Sequence, residues 1–150
     1  MDVHATLAAP CGADQLFALV DDLGQYPAWM DLVHAVQPSA AGEDGALPAW
    51  QVELRARVGP FARSKRLRMQ RTLHDTVQHS VIFERAETDG RSHSPWVLKA
   101  NVHQTHDGST LQVHLHYGGA LWTGGVLERV LGDQIMRGRE RLHALVRSTH

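Results

Sequence analysis

Over much of this chain apolar and polar residues alternate one by one, and only near its end does the spacing lengthen to that of a helix. Trp50, Val52, Leu54, Ala56 and Val58 share one parity and Gln51, Glu53, Arg55 and Arg57 the other, the period-two pattern of a strand with one buried face. Phe61, Leu67, Met69 and Leu73 continue the apolar parity against Ser64, Arg66, Arg68, Gln70 and Thr72. Val81, Phe83 and Arg85 carry the inner parity of the next run, and Trp96, Leu98, Ala100 and Val102 that of the one after. Gly59-Pro60 fits a type II′ hairpin turn, which sets Val58 against Phe61 and Val52 against Leu67. Asp107-Gly108 predicts a type I′ turn with Val102 opposite Val113, Ala100 opposite Leu115 and Leu98 opposite Tyr117. Pairing Met69 with Phe83 would place Lys65 opposite Glu87 as a cross-strand ion pair. All these registers agree on one continuous apolar face.

The two ends complete the architecture. Val3 to Ala8 suits a first strand, ended by Pro10. A helix then opens at Cys11-Gly12-Ala13-Asp14, buries Leu16, Phe17, Leu19, Val20 and Leu23, and stops at Gly24. Tyr26-Pro27-Ala28-Trp29-Met30 reads as a second, very short helix, and Asp31 to Gln37 as a strand. From Gly118 to His150 a single stripe of Leu127, Val130, Leu131, Ile135, Leu142, Leu145 and Val146 predicts one long helix. The expectation is an α+β fold in one domain spanning residues 1–150. A curved antiparallel sheet of about seven strands wraps around the C-terminal helix, with two short helices after the first strand.

Composition narrows the function classes. A net charge of −1 gives no global basic field of the kind nucleic-acid binders carry. No apolar run reaches the ~18 residues of a membrane span and no leader is visible, while a lone cysteine fits a reducing cytoplasm. Cys11 stands at a helix start, but no His or Asp adjoins it to make it a nucleophile.

The opening AAPCGADQLFALVDDLGQYPAWMDLVHAV, with its Asp-Leu pair and Tyr-Pro-x-Trp, and the closing GGALWTGGVLERVLGDQIMRGRERLHALV are similar to the two ends of a known fold family. With the element order, they resemble the helix-grip fold of the START/birch-allergen-like (SRPBCC) superfamily, in particular its bacterial polyketide cyclase/dehydrase-like branch. The resemblance covers nearly the whole chain. It implies a binding cavity between the sheet and the C-terminal helix for a lipid-, polyketide- or quinone-like molecule. In the polyketide cyclases of that group it implies catalysis by cavity shape and a few hydrogen-bonding groups. Fold alone does not fix which activity this chain has.

Candidate ligand-binding residues are Trp29, Trp50, Leu54, Phe61, Leu67, Met69 and Phe83, with Trp96, Leu98, Leu115 and Tyr117 beyond them; Trp122 is assigned to the inner side or its mouth. Leu131 and Ile135 would face them from the helix. These residues either line a void or fill a solid core. Gly132 and Gly138 each cost about 1 kcal/mol in a helix, which points to a void or to close packing of helix on sheet. Arg71 and Arg85 fall on the apolar parity, where each either orients a ligand carbonyl or carboxylate, reaches water at the sheet's end, or joins an internal ion pair. Arg85 and Tyr117 are the catalytic candidates should the chain be an aromatase/cyclase-type enzyme.

His114 and His116 share a strand face, but it is the outer one, and the Asp-Gly register sets Lys99 opposite His116. They read as surface groups, and no metal or cofactor is expected. Seven basic residues and no acid lie between Arg55 and Arg71, with Glu53 a partner for Arg66. That face is either a solvated sheet surface or a docking site for an acidic carrier protein or an anionic membrane; lacking stacking aromatics, it does not suit nucleic acid. Oligomeric state is open.

Overall fold

The computed structural model describes residues 2–39, 47–58, 60–118 and 126–148, with side chains at all of these except 56–58, 61, 126–131, 134, 135 and 148. Among the described residues seven strands form one antiparallel sheet: β1 (Asp2–Ala9), β2 (Val33–Ser39), β3 (Ala49–Val58), β4 (Phe61–Asp75), β5 (Ser80–Arg85), β6 (Trp96–Thr105) and β7 (Gly108–Tyr117). Their order across the sheet is β1-β7-β6-β5-β4-β3-β2. A short helix α1 (Ala13–Phe17) and a 3-10 helix (Leu23–Ala28) lie between β1 and β2, and α2 (Val126–Ser148) ends the chain. The edges of the sheet are β1 and β2; α2 packs along β1 and the 3-10 helix against β2. This is the expected helix-grip arrangement. The turn at Gly59 and the stretch 119–125, including Trp122 and the expected start of the long helix, lie outside the described residues.

The opening helical region differs from the expectation. Leu19 N–H and Val20 N–H donate to carbonyls three residues back, at 3.0 Å each, so α1 tightens and ends after Phe17. Asp22 then captures the Gly24 N–H at 2.8 Å and starts the 3-10 helix, so Gly24 lies inside a helical turn where the sequence pattern had it stopping one.

Registers hold at one hairpin and shift at two. Val58 pairs with Phe61 and Val52 with Leu67, as the Gly59-Pro60 dipeptide predicts. At the β6–β7 turn Trp96 pairs with Tyr117 and Leu98 with Leu115, two residues off the Asp-Gly expectation. The cause is Gly108, which opens β7 at φ 156°, with a Cβ there only 2.2 Å from the Ala9 carbonyl oxygen. The glycine is required by this close approach, so the turn is His106-Asp107. Because the slip is two residues, every side chain keeps its face.

Between β4 and β5, Arg71 pairs with Phe83 and Met69 with Arg85, and a bulge between Arg71 and Leu73 changes the parity. Leu73, expected inside, is exposed, while His74 turns toward Phe17 with ring centroids 5.8 Å apart.

Candidate functional site

Under the sheet lies an apolar cavity of about 80 Å³. Val52 and Leu54 of β3 and Leu67 and Met69 of β4 form one part of its wall. Trp96 and Leu98 of β6 with Val113 and Leu115 of β7 form the next, and Val3 and Ala5 of β1 finish the sheet side. Across from them stand Leu23 and Tyr26 of the 3-10 helix and Met30, Leu32 and Val33 after it. Tyr26 contributes only its ring, because its hydroxyl donates to the Val20 carbonyl at 2.8 Å. Burial, with Asp21 and Asp22 nearby, pushes its pKa up, so the phenol stays protonated.

Six of the residues picked from the sequence meet in this wall: Leu54, Leu67, Met69, Trp96, Leu98 and Leu115. Trp29, Trp50 and Phe83 do not; they fill the interior beside it. Phe83 is fully buried, edge-on to Trp50 at 5.6 Å and to Tyr26 at 6.3 Å. Trp29 packs on Tyr26 at 4.9 Å, and its indole N–H donates to the Leu19 carbonyl. A Cβ at Gly138 would lie 2.6 Å from the Trp29 carbonyl oxygen, so this glycine serves close approach of α2, whereas Gly132 is exposed with open space around it. Tyr117 is buried against Trp96, with ring centroids 5.3 Å apart. The side chains of Phe61, Leu131 and Ile135 lie outside the described residues.

The two inward arginines are engaged by the protein. Arg71 donates to the Asp21 carbonyl at 2.9 Å and lies over the Trp50 ring, 5.8 Å from its centroid. Arg85 donates from Nε to Glu87 Oε1 at 3.0 Å and from its guanidinium to the Ser94 carbonyl at 3.2 Å. The register shift moves Glu87 away from the expected pairing with Lys65: its Oε1 takes Arg85 and the Arg68 N–H. Glu53 likewise pairs with Arg55 of its own strand, at 3.5 Å, although Arg66 stands opposite it in the ladder.

On the outer face Asp2 accepts from both His114 (2.8 Å) and His116 (3.0 Å), and these bonds hold its carboxyl below the usual carboxylate range. Lys99 stands opposite His114, not His116. Among the described residues no group of His, Cys, Asp or Glu has the arrangement of a metal site.

Sequence reasoning missed the wall opposite the sheet. Leu23, Tyr26, Met30 and Leu32 come from a 3-10 helix and an irregular link, where no regular period marks an inward face. The Tyr-Pro-x-Trp motif was the available signal, since it anchors that segment through Tyr26 and Trp29.

The fold accords with what the chain is similar to. The structure of a START superfamily protein from Mycobacterium smegmatis superposes with TM-score 0.73 at 14% identity, covering 99% of each chain. Ara h 8.0201 gives 0.64 at 13% identity, covering 99% of this chain and 98% of that one. The di-domain ARO/CYC StfQ from the steffimycin biosynthetic pathway gives 0.64 at 12%, covering 99% of this chain and 51% of that one. A search of curated proteins finds no match. The sequence model for "Polyketide cyclase / dehydrase and lipid transport" matches residues 1–147, and the chain therefore belongs to that family.

Proposed function

We propose that the chain works as one helix-grip domain that holds a small lipophilic molecule, lipid-, polyketide- or quinone-like, beneath its sheet. The observation that carries this reading is the cavity wall, built from β1, β2, β3, β4, β6, β7 and the 3-10 segment with its link to β2, entirely of Val, Ala, Leu, Met, Tyr and Trp side chains among the described residues. A wall of this kind favours a ligand by removing apolar surface from water.

At about 80 Å³ the cavity is well below the roughly 300–1,000 Å³ of drug-sized ligand sites. Occupancy therefore requires the wall to yield. Met30 and Met69 face each other's elements across the space, and unbranched thioethers repack at low cost.

The binding reading is favoured over a cyclase because both catalytic candidates are committed elsewhere: Arg85 to Glu87 and Ser94, Tyr117 to packing on Trp96. Arg55, Arg63 and Arg66 are exposed on the β3–β4 hairpin, which supports docking there of an acidic carrier protein or an anionic membrane surface. No described helix is long and apolar enough to cross a membrane, and the buried, unpaired Cys11 is in keeping with the cytoplasmic location we assign.

The test is titration with an environment-sensitive lipophilic dye. Saturable one-to-one binding is expected, weakened at least about tenfold by Met69→Phe, which fills the space with a ring. Absence of saturable binding to the folded protein would remove this function.

A further inference from the structure

The inner row of β4 does not end where the cavity does. Leu67 stands opposite Val52, and the next inward position, Lys65, stands opposite Leu54. Val52, Leu54, Leu67 and Met69 all line the cavity, and residues two apart on a strand share a face. Lys65 thus extends the apolar wall by one step, as a cation.

Among the described residues, its surroundings compensate that cation only in part. On β5, Arg85 is paired in register with Met69, and Glu87 follows two residues later. The Ala86 N–H donates to the Arg68 carbonyl at 2.9 Å and the Arg68 N–H to Glu87 Oε1 at 3.0 Å, which holds the start of β4's inner row beside the end of β5. Among the described residues, this end of the interior holds two cations, Lys65 and Arg85, and one carboxylate, Glu87. Glu87 spends Oε1 on Arg85 and on the Arg68 N–H, and no carboxylate lies within ion-pair distance of Lys65 among the described residues.

Lys65 is half-buried. Desolvation first, then the Arg85 charge, hold its pKa below the ordinary lysine value, with Glu87 opposing only in part. A partly desolvated ammonium beside a second cation is unfavourable in the empty protein, and an incoming anion relieves both penalties at once.

We propose that Lys65 is a specificity-determining residue that receives the anionic head of the ligand, so that the molecule held in the cavity is a lipophilic acid, its apolar body against Leu54, Leu67 and Met69 and its carboxylate on the Lys65 ammonium. The inference rests on the cavity being the binding site, and it adds the ligand's charge class. Arg85 plays a different part. Locked to Glu87 and Ser94, it keeps that carboxylate from neutralising Lys65.

Octanoate and its methyl ester, each displacing the lipophilic dye, provide the test, because they share a chain and differ in the head. In the wild type octanoate should bind at least about tenfold more tightly than the ester, the scale of one charge-assisted bond in a partly buried site. Lys65→Met should erase that preference while leaving the ester unchanged, and Lys65→Arg should keep it. Raising the pH through the lysine titration should weaken octanoate alone. Equal binding of acid and ester in the wild type, or a preference that survives Lys65→Met in a protein with an intact melting transition, would overturn the inference and leave the cavity reading standing. Binding of neither probe, in a protein that also fails to take up the dye, would remove both.

Discussion

The two halves of the interior are built from the same alternating strands and end up opposite in character. Where Trp29, Trp50 and Phe83 gather, the space is filled and these side chains are buried. Where Val52, Leu54, Leu67 and Met69 face Leu23 and Met30, equally apolar side chains enclose a cavity of about 80 Å³. Hydrophobicity does not separate the two. Side-chain size does, since rings occupy the filled half and mainly aliphatic chains the hollow one. So does backbone approach, because Gly138 lets α2 come down onto the Trp29 carbonyl. A cavity in this fold is therefore a place where inward residues are too small for a separation fixed elsewhere.

The sharpest way to break that comparison is one substitution made at both helix glycines. Gly138→Ala puts a Cβ 2.6 Å from the Trp29 carbonyl oxygen, a backbone atom that cannot swing aside. Overpacking of this kind costs up to about 3 kcal/mol, of which helix propensity returns only about 1. Gly132→Ala meets nothing within 4 Å and should instead stabilise by about 1 kcal/mol. Denaturant unfolding of both variants reads the signs directly, and a neutral Gly138→Ala would mean that the filled half is looser than its geometry.

A second contrast lies at the charged end of the hollow half. Glu87→Gln leaves Lys65 and Arg85 facing each other without a carboxylate and should cost about 1.5 kcal/mol. Arg85→Met should cost less, about 0.5–1 kcal/mol, because Lys65 then becomes the partner of Glu87. If Arg85→Met proved the worse of the two by equilibrium denaturation, Lys65 would not be near enough to substitute, and the surplus-cation argument would fall with it.

Filling the hollow half tests whether it is spare volume or strained packing. Met69→Phe should stabilise the empty protein by about 0.5–1 kcal/mol while it blocks the dye. Destabilisation with unchanged binding would show that Met69 is packed like the residues of the filled half.

How much of this was readable in the sequence depended on periodicity. The inner parity of β3, β5, β6 and β7 emerged from alternation alone, and it survived a two-residue slip at the β6–β7 turn because a slip of two preserves the face. The bulge after Arg71 was not readable, since one extra residue leaves no mark in composition; it turned Leu73 outward and His74 inward toward Phe17. At the site, the sheet wall was legible as parity, whereas Tyr26, Met30 and Leu32 were not, because a 3-10 helix offers no period to read. Filled and hollow positions could not be told apart in advance either. Trp50 and Met69 are opposite each other on neighbouring strands, and only the third dimension assigns one to the core and the other to the cavity wall.

The smallest expected effect sharpens the comparison through pH. Lys65 has its pKa lowered in the folded protein, by desolvation first and then by Arg85. In the window between the depressed folded value and the ordinary lysine value near 10.4, the unfolded chain binds more protons than the folded one. Wild-type stability from this group therefore rises with pH across that window, and the full penalty of the buried ammonium applies below it. Lys65→Met removes the penalty, so the variant should melt on the order of 2 °C higher than wild type at neutral pH, given how far a fraction of a kcal/mol moves Tm in a domain of this size. The gap should close as the pH approaches that of free lysine, where the wild type is relieved by deprotonation. Added octanoate at neutral pH should close it from the other side, by stabilising the wild type and not the variant. A constant gap at every pH would mean that the gain came from packing of the methionine and that Lys65 carries no charge strain.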